Sequence, residues 1–162
     1  MSKNSISESA KETKKWLNEL SWKKIFLVGF IYTIFVSLVN RSEAVIMMKY
    51  YQVPEYFGVW SKLVMSKIGP LPIDFIVTTA IFTLYSGISL ALIYYYIRDY
   101  LPKLFWKRVF MFADLLIAAS FIFFTIPSYL LFNIPPQLLL SWFISSFVIL
   151  VFTSYTFVKI IN

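Results

Sequence analysis

Cysteine and histidine are both absent from the 162 residues. Without cysteine there is no disulfide, no thiolate nucleophile, no thiolate metal site and no CxxC pair for a quinone-linked thiol oxidase. Without histidine, the commonest general base, zinc ligand and axial haem ligand are missing as well. Two-methionine haem ligation is the haem chemistry left, and five methionines in an apolar chain are better explained as packing filler. No cofactor and no metal are expected. Charge is scarce too: charged residues make up 14% of the chain against 59% hydrophobic and 20% aromatic, far from soluble averages. Such a composition belongs to a membrane protein. The formal net charge of +7 sits between apolar runs and not on one basic face, which argues against nucleic acid as a partner.

The polar residues that are present divide the chain. Residues 1–21 carry Lys3, Lys11, Lys14 and Lys15 against Glu8, Glu12 and Glu19, with Trp16 and Leu20 four apart on one face. They predict a cytoplasmic amphipathic segment resting on the lipid surface, opened by a capping box at Ser5-Ile6-Ser7-Glu8. A cleaved signal peptide is not expected, because the charged leader is long and no small-x-small site follows the apolar run.

Residues 22–162 make a single domain with four apolar spans, at about 22–48, 73–97, 109–132 and 137–159. The last three reach roughly 33 to 38 Å as helices, enough to cross a hydrocarbon core of about 30 Å. A membrane barrel would need alternating segments of roughly 10 residues, and these runs are continuously apolar for twice that. Pro127 should kink or shorten the third span, and Asn133-Ile134-Pro135-Pro136 supplies the turn into the fourth. Most of the fifteen lysines and arginines fall before Lys24, in "RDYLPKLFWKR" between spans two and three, or at Lys159. The positive-inside rule therefore puts both termini in the cytoplasm of a cell whose plasma membrane holds the chain. On the other side, "PEYFGVWSKLVMSK" repeats Tyr56, Phe57, Trp60, Leu63 and Val64 at helical spacing. That pattern predicts an interfacial helix, with a re-entrant segment as the competing reading that Lys62 and Lys67 disfavour. The predicted fold class is an all-α membrane protein: an antiparallel four-transmembrane-helix bundle with an external interfacial helix between spans one and two.

Helices pack in lipid where small residues let backbones approach. Stripes at spacing four mark Gly29, Thr33 and Ser37 on the first span and Thr83, Gly87 and Ala91 on the second as helix-packing residues. Shorter stripes pair Asp114 with Ala118 and Ser141 with Ser145.

The first span contains a polar island, in "SLVNRSEAVIMMKYY". Ile25 to Val39 covers only roughly 22 Å, whereas Ile25 to Met48 covers about 36 Å, so the helix should run through the island. Continuing the stripe from Ser37 by four turns Arg41 towards the other helices and leaves Glu43 pointing elsewhere. Arg41 and Glu43 are the candidate polar or lipid-headgroup site. Arg41 would act either as a snorkelling interfacial residue or as a shallow site for an anionic lipid headgroup or partner. Asn40-Arg41-Ser42 also matches a glycosylation acceptor, but at the membrane surface modification is not expected. Asp114, roughly 9 Å beyond Arg108, is the candidate intramembrane ionisable site, with pairing to Arg108, Lys107 or a nearby hydroxyl as the structural alternative.

The blocks "YFGVWSKLVMSKIGPLP", "YYYIRDYLPKLFWKRVFMFADLL" and "LLFNIPPQLLLSWF" resemble those of small four-span prokaryotic integral membrane proteins. The resemblance covers about Tyr50 to Ile161, implies the same fold and membrane location, and carries over no active-site residue. No catalytic residue is expected: Glu43 and Asp114 would lie roughly 25 Å apart along the membrane normal, too far to act as a pair. The expected function is that of a non-enzymatic structural or accessory membrane subunit. Its partners would be the lipid bilayer, an anionic lipid, and a further copy or another membrane protein. A small oligomeric transporter or channel, and a lipid-binding or lipid-modifying protein, are the alternatives.

Overall fold

The computed structural model describes residues 21–53 and 73–161. The predicted amphipathic segment before Ser21 and the predicted interfacial helix around Trp60 lie outside the described residues. Among the described residues the structure is helical, without a strand. Helix α1 runs Trp22–Ile46 and is followed after Met47 by the single turn α2, Met48–Tyr51. Helix α3 is Ile73–Ile97, ending in a 3-10 turn, Arg98–Tyr100. Helix α4, Phe105–Ser120, passes through a π-helical turn, Phe121–Thr125, into α5, Ile126–Leu131. Helix α6, Pro136–Ile161, is the last of the described helices. Four of these stretches are long and apolar enough to cross a membrane: Trp22–Ile46, Ile73–Tyr100, Phe105–Leu131 and Pro136–Ile161.

The island in the first span does not stop α1, which continues through Asn40, Arg41, Ser42 and Glu43 to Ile46. Asp74 sits in the first turn of α3, where a carboxylate complements the helix dipole. The expected kink at Pro127 takes a specific form. A proline inside a helix has no N–H to donate and its ring crowds the carbonyl four residues back, which here is Phe123. The turn immediately before it, Phe121–Thr125, widens from α to π geometry, and the span goes on as α5 without a break.

In lipid there is no hydrophobic force between helices, so contact quality decides what packs on what. Helix α1 packs against α3 and α6, and α4 packs against α6. The α1–α3 approach is closest at two glycines. A Cβ on Gly87 would stand 3.0 Å from the Cα of Gly29 and 2.7 Å from Cδ1 of Tyr32, and one on Gly29 would stand 2.9 Å from Cγ1 of Ile88. Beyond them, towards the chain termini, α1, α3, α4 and α6 close on one core of Ile25, Val28, Ala91, Tyr94, Val109, Phe112, Phe157 and neighbours. The rings of Tyr94, Phe112 and Phe157, from three helices, lie with centroids 5.0 Å, 6.2 Å and 6.3 Å apart. Such pairs contribute about 0.5–1.5 kcal/mol each beyond the area they bury. Half-way along, Phe35 of α1 stacks on Phe152 of α6 at 3.8 Å.

Hydroxyls inside the spans mostly satisfy themselves on their own helix, as a dry environment demands. Thr33 donates to the Gly29 carbonyl, Thr83 to Thr79, Thr153 to Ile149 and Thr156 to Phe152. Ser141 is different, because its hydroxyl leaves its own helix.

Candidate functional site

At the end of α1 and α6 away from the termini, the chain buries a carboxylate. Glu43, 8% exposed, accepts a hydrogen bond at Oε1 from the Ser141 hydroxyl at 2.7 Å. Its Oε2 accepts from the Tyr51 hydroxyl at 3.0 Å. Tyr51 in turn accepts from the Trp142 indole N–H, and the two rings lie 6.5 Å apart. Along a straight helix Tyr51 would sit about 12 Å beyond Glu43. The interruption at Met47 sets α2 off from α1, and the length of the tyrosine does the rest. Burial holds the Tyr51 hydroxyl well above its ordinary pKa of 10.0. The nearby Glu43 adds to the rise and the Trp142 hydrogen bond opposes it. Tyr51 therefore stays a donor at every physiological pH.

Glu43 also lines a groove of about 570 Å³ between α1 and α6. Its walls are mainly aliphatic, with Leu38 and Ile46 from α1 facing Leu140, Ile144 and Val148 from α6, and its polar groups are Ser42, Tyr50, Gln137 and Ser145 beside Glu43 and Ser141. Among the described residues no cation pairs with Glu43: the one ion pair is Arg98 with Asp99 at 3.8 Å, at the opposite end, and the Lys49 ammonium lies over the Tyr50 ring, 4.9 Å from its centroid. Each carboxylate oxygen still has acceptor capacity beyond the single hydrogen bond it receives.

The candidate residues fall in different places from those the four-residue stripes predict. Arg41 is exposed and Glu43 is buried, the reverse of the predicted arrangement. The reason is geometric. Each residue turns a helix by about 100°, so three steps of four from Gly29 to Arg41 over-rotate by about 120°. Steps of seven lag by only about 20° each, which keeps Gly29, Val36 and Glu43 on one seam, and all three are buried. Heptad spacing was the available signal for Glu43. Ser141 stood out only as a small residue, and nothing local in the sequence marks Tyr51 or Trp142 as its companions, since Glu43 and Ser141 are 98 positions apart.

Asp114 and Ala118 are both exposed on α4, so this stripe turns away from the other helices. Asp114 has no hydrogen-bond or ion-pair partner among the described residues. Arg108, one suggested partner, donates from Nε to the Pro102 carbonyl at 2.8 Å instead. Of the remaining stripes, Gly29, Gly87 and Ala91 are buried, Thr33, Ser37, Thr83 and Ser145 are half-buried, and Ser141 is buried on Glu43. Among the described residues no three acidic side chains gather where they could hold a metal ion.

Comparison with protein-family models, with curated proteins and with solved structures finds no match to this chain. The functional reading rests on its own residues.

Proposed function

We propose that this protein is a non-enzymatic subunit of the plasma membrane, an antiparallel four-helix bundle with cytoplasmic termini that associates laterally with a further copy or another membrane protein. The carrying observation is Asp114. A carboxylate inside an apolar span is costly, about 2.5–3.5 kcal/mol at the helix centre, and such residues normally face protein or water. Asp114 is exposed with no partner among the described residues, inside the apolar span Phe105–Leu131 and roughly 9 Å beyond Arg108. A second polypeptide over this face would supply the missing donor, and exposed Ala118 one turn on lets a backbone come close. The start of α1, the end of α6, Arg98, Lys107 and Lys159 share the same end of the helices, which supports the orientation.

Because the chain has no cysteine, Ala118→Cys provides a single cross-linking point. Oxidation in native membranes should give a covalent dimer, or a bifunctional thiol-to-amine reagent a heavier adduct, and Asp114→Leu should weaken either. Monomer alone at every expression level, unaffected by Asp114→Leu, would defeat the proposal. The π-helical turn seven residues after Asp114 favours a second reading, a small oligomeric transporter, since such turns recur at functional sites. Proton or ion flux in reconstituted vesicles that Asp114→Asn abolishes would establish it over the accessory role.

A further inference from the structure

We infer that the groove between α1 and α6 binds a phospholipid whose headgroup carries a primary ammonium, the ammonium on Glu43 and one acyl chain along Leu38, Ile144 and Val148. The reading is independent of the Asp114 face.

Three observations converge on that ligand. First, Glu43 brings an anionic group to the wall of a mainly aliphatic groove, with hydroxyl and indole groups behind it and no ion-pair partner among the described residues. A buried charge needs a charged or strongly donating partner, and its two present donors are neutral hydroxyls. An ammonium supplies both the charge and three N–H donors. Second, the groove is oriented for an amphiphile. Gln137 marks its mouth near the start of α6, Ser141 and Glu43 lie about one turn deeper, and Val148 follows about 10 Å further into the span. The polar groups thus lie towards the membrane surface and the aliphatic ones towards its centre. Third, the groove disfavours the opposite headgroup: neither Arg41 nor Lys49, the cationic side chains nearest to Glu43 in sequence, lines it, Arg41 being exposed and the Lys49 ammonium lying over the Tyr50 ring, 4.9 Å from its centroid. An anionic headgroup would meet a carboxylate with no cation among the groove-lining residues. A quaternary ammonium keeps the charge but has no N–H to donate, so choline lipids should bind less well than ethanolamine lipids.

The test uses the full chain, purified in mild detergent and offered equimolar phosphatidylethanolamine, phosphatidylcholine and phosphatidylglycerol, with bound lipid counted by native mass spectrometry. The wild type should retain the ethanolamine lipid over each of the others by about tenfold, as expected for one charge-assisted contact of about 1.4 kcal/mol. Glu43→Gln, which keeps the shape and an acceptor oxygen, should erase the preference. Leu38→Trp fills the acyl slot from an exposed position without touching the carboxylate, so it keeps the test valid where Glu43→Gln fails to fold. It should lower retention of all three lipids. Dodecylamine should displace the bound ethanolamine lipid and dodecanol should not. Equal retention of the three lipids by the wild type, or an ethanolamine preference surviving Glu43→Gln, would overturn the inference. So would efficient disulfide dimerisation of a Ser145→Cys chain, because the groove would then hold a second copy.

Discussion

Where Ile25 and Ile161 meet, four helices close on three interlocked rings; at the opposite end, α1 and α6 touch through Glu43 and Ser141 and leave a groove open beside them. The first end is held mainly by shape. Its core contacts are apolar, the glycines let α1 and α3 draw together, and buried α3 residues occur only from Gly87 onward. At its edge the Arg98 guanidinium lies over the Tyr95 ring. The second end adds hydrogen bonds across helices to ring contacts such as Phe124 with Trp142. In a bilayer these are the two available ways to hold helices together, by packing or by hydrogen bonds across helices, and this chain relies on the first at one end and adds the second at the other. The difference teaches where each kind of role belongs: a polar end with free acceptor capacity invites a donor that a core of apolar contacts does not.

The largest effect should come from breaking the packed end. Phe112→Ala removes the ring shared by Tyr94 and Phe157, and should cost about 3–5 kcal/mol of stability, read as lost thermal resistance in detergent. A loss below about 1 kcal/mol would mean that the end is held by something other than these rings. At the polar end the effect should be smaller. Ser141→Ala leaves one Glu43 oxygen without its donor and should cost about 1–3 kcal/mol, whereas the same change in a Glu43→Leu background should cost much less. Additive losses in that double-mutant cycle would show that the hydrogen bond carries no coupling. The smallest effect is a pH dependence. The Tyr51 hydroxyl is held above its ordinary 10.0 in the folded chain, so the unfolded chain gives up that proton first. The stability tied to it is whole below pH 10 and falls as pH rises from there through the folded value. Thermal midpoints across that alkaline range should therefore decline less steeply in Tyr51→Phe, and parallel curves would remove Tyr51 from the account.

Much of this architecture is legible in the sequence, because apolar length and helix breakers act locally. Span ends are set by polar runs and by Pro135-Pro136, and a helix through Asn40-Arg41-Ser42-Glu43 follows from bilayer thickness alone. The site is less legible. A small-residue stripe read at spacing four describes a surface that winds around the helix, so it finds Gly29 correctly placed near α3 and then puts the wrong side chain of the island inward. Asp114 and Ala118 show the other limit, since two small or polar residues one turn apart specify no direction without a third to fix the seam. The Tyr51–Glu43–Ser141 contact depends on a break at Met47 and on a helix that begins 93 residues later, as residue numbers 43 and 136 show, and no local pattern encodes either.

That long separation has a consequence for biogenesis. Glu43 enters the membrane with α1, whereas Ser141 and Trp142 belong to α6, which leaves the ribosome well after it. Until α6 is threaded beside α1, an acidic side chain stands with half of its final hydrogen bonds at the edge of the lipid, and α1 has reason to stay near the insertion machinery or to slide outward. Arrival of the fourth helix ends that state by supplying the serine and the indole together. The polar end is in this sense a closing latch, and a chain cut short before Ser141 carries its own mark of incompleteness.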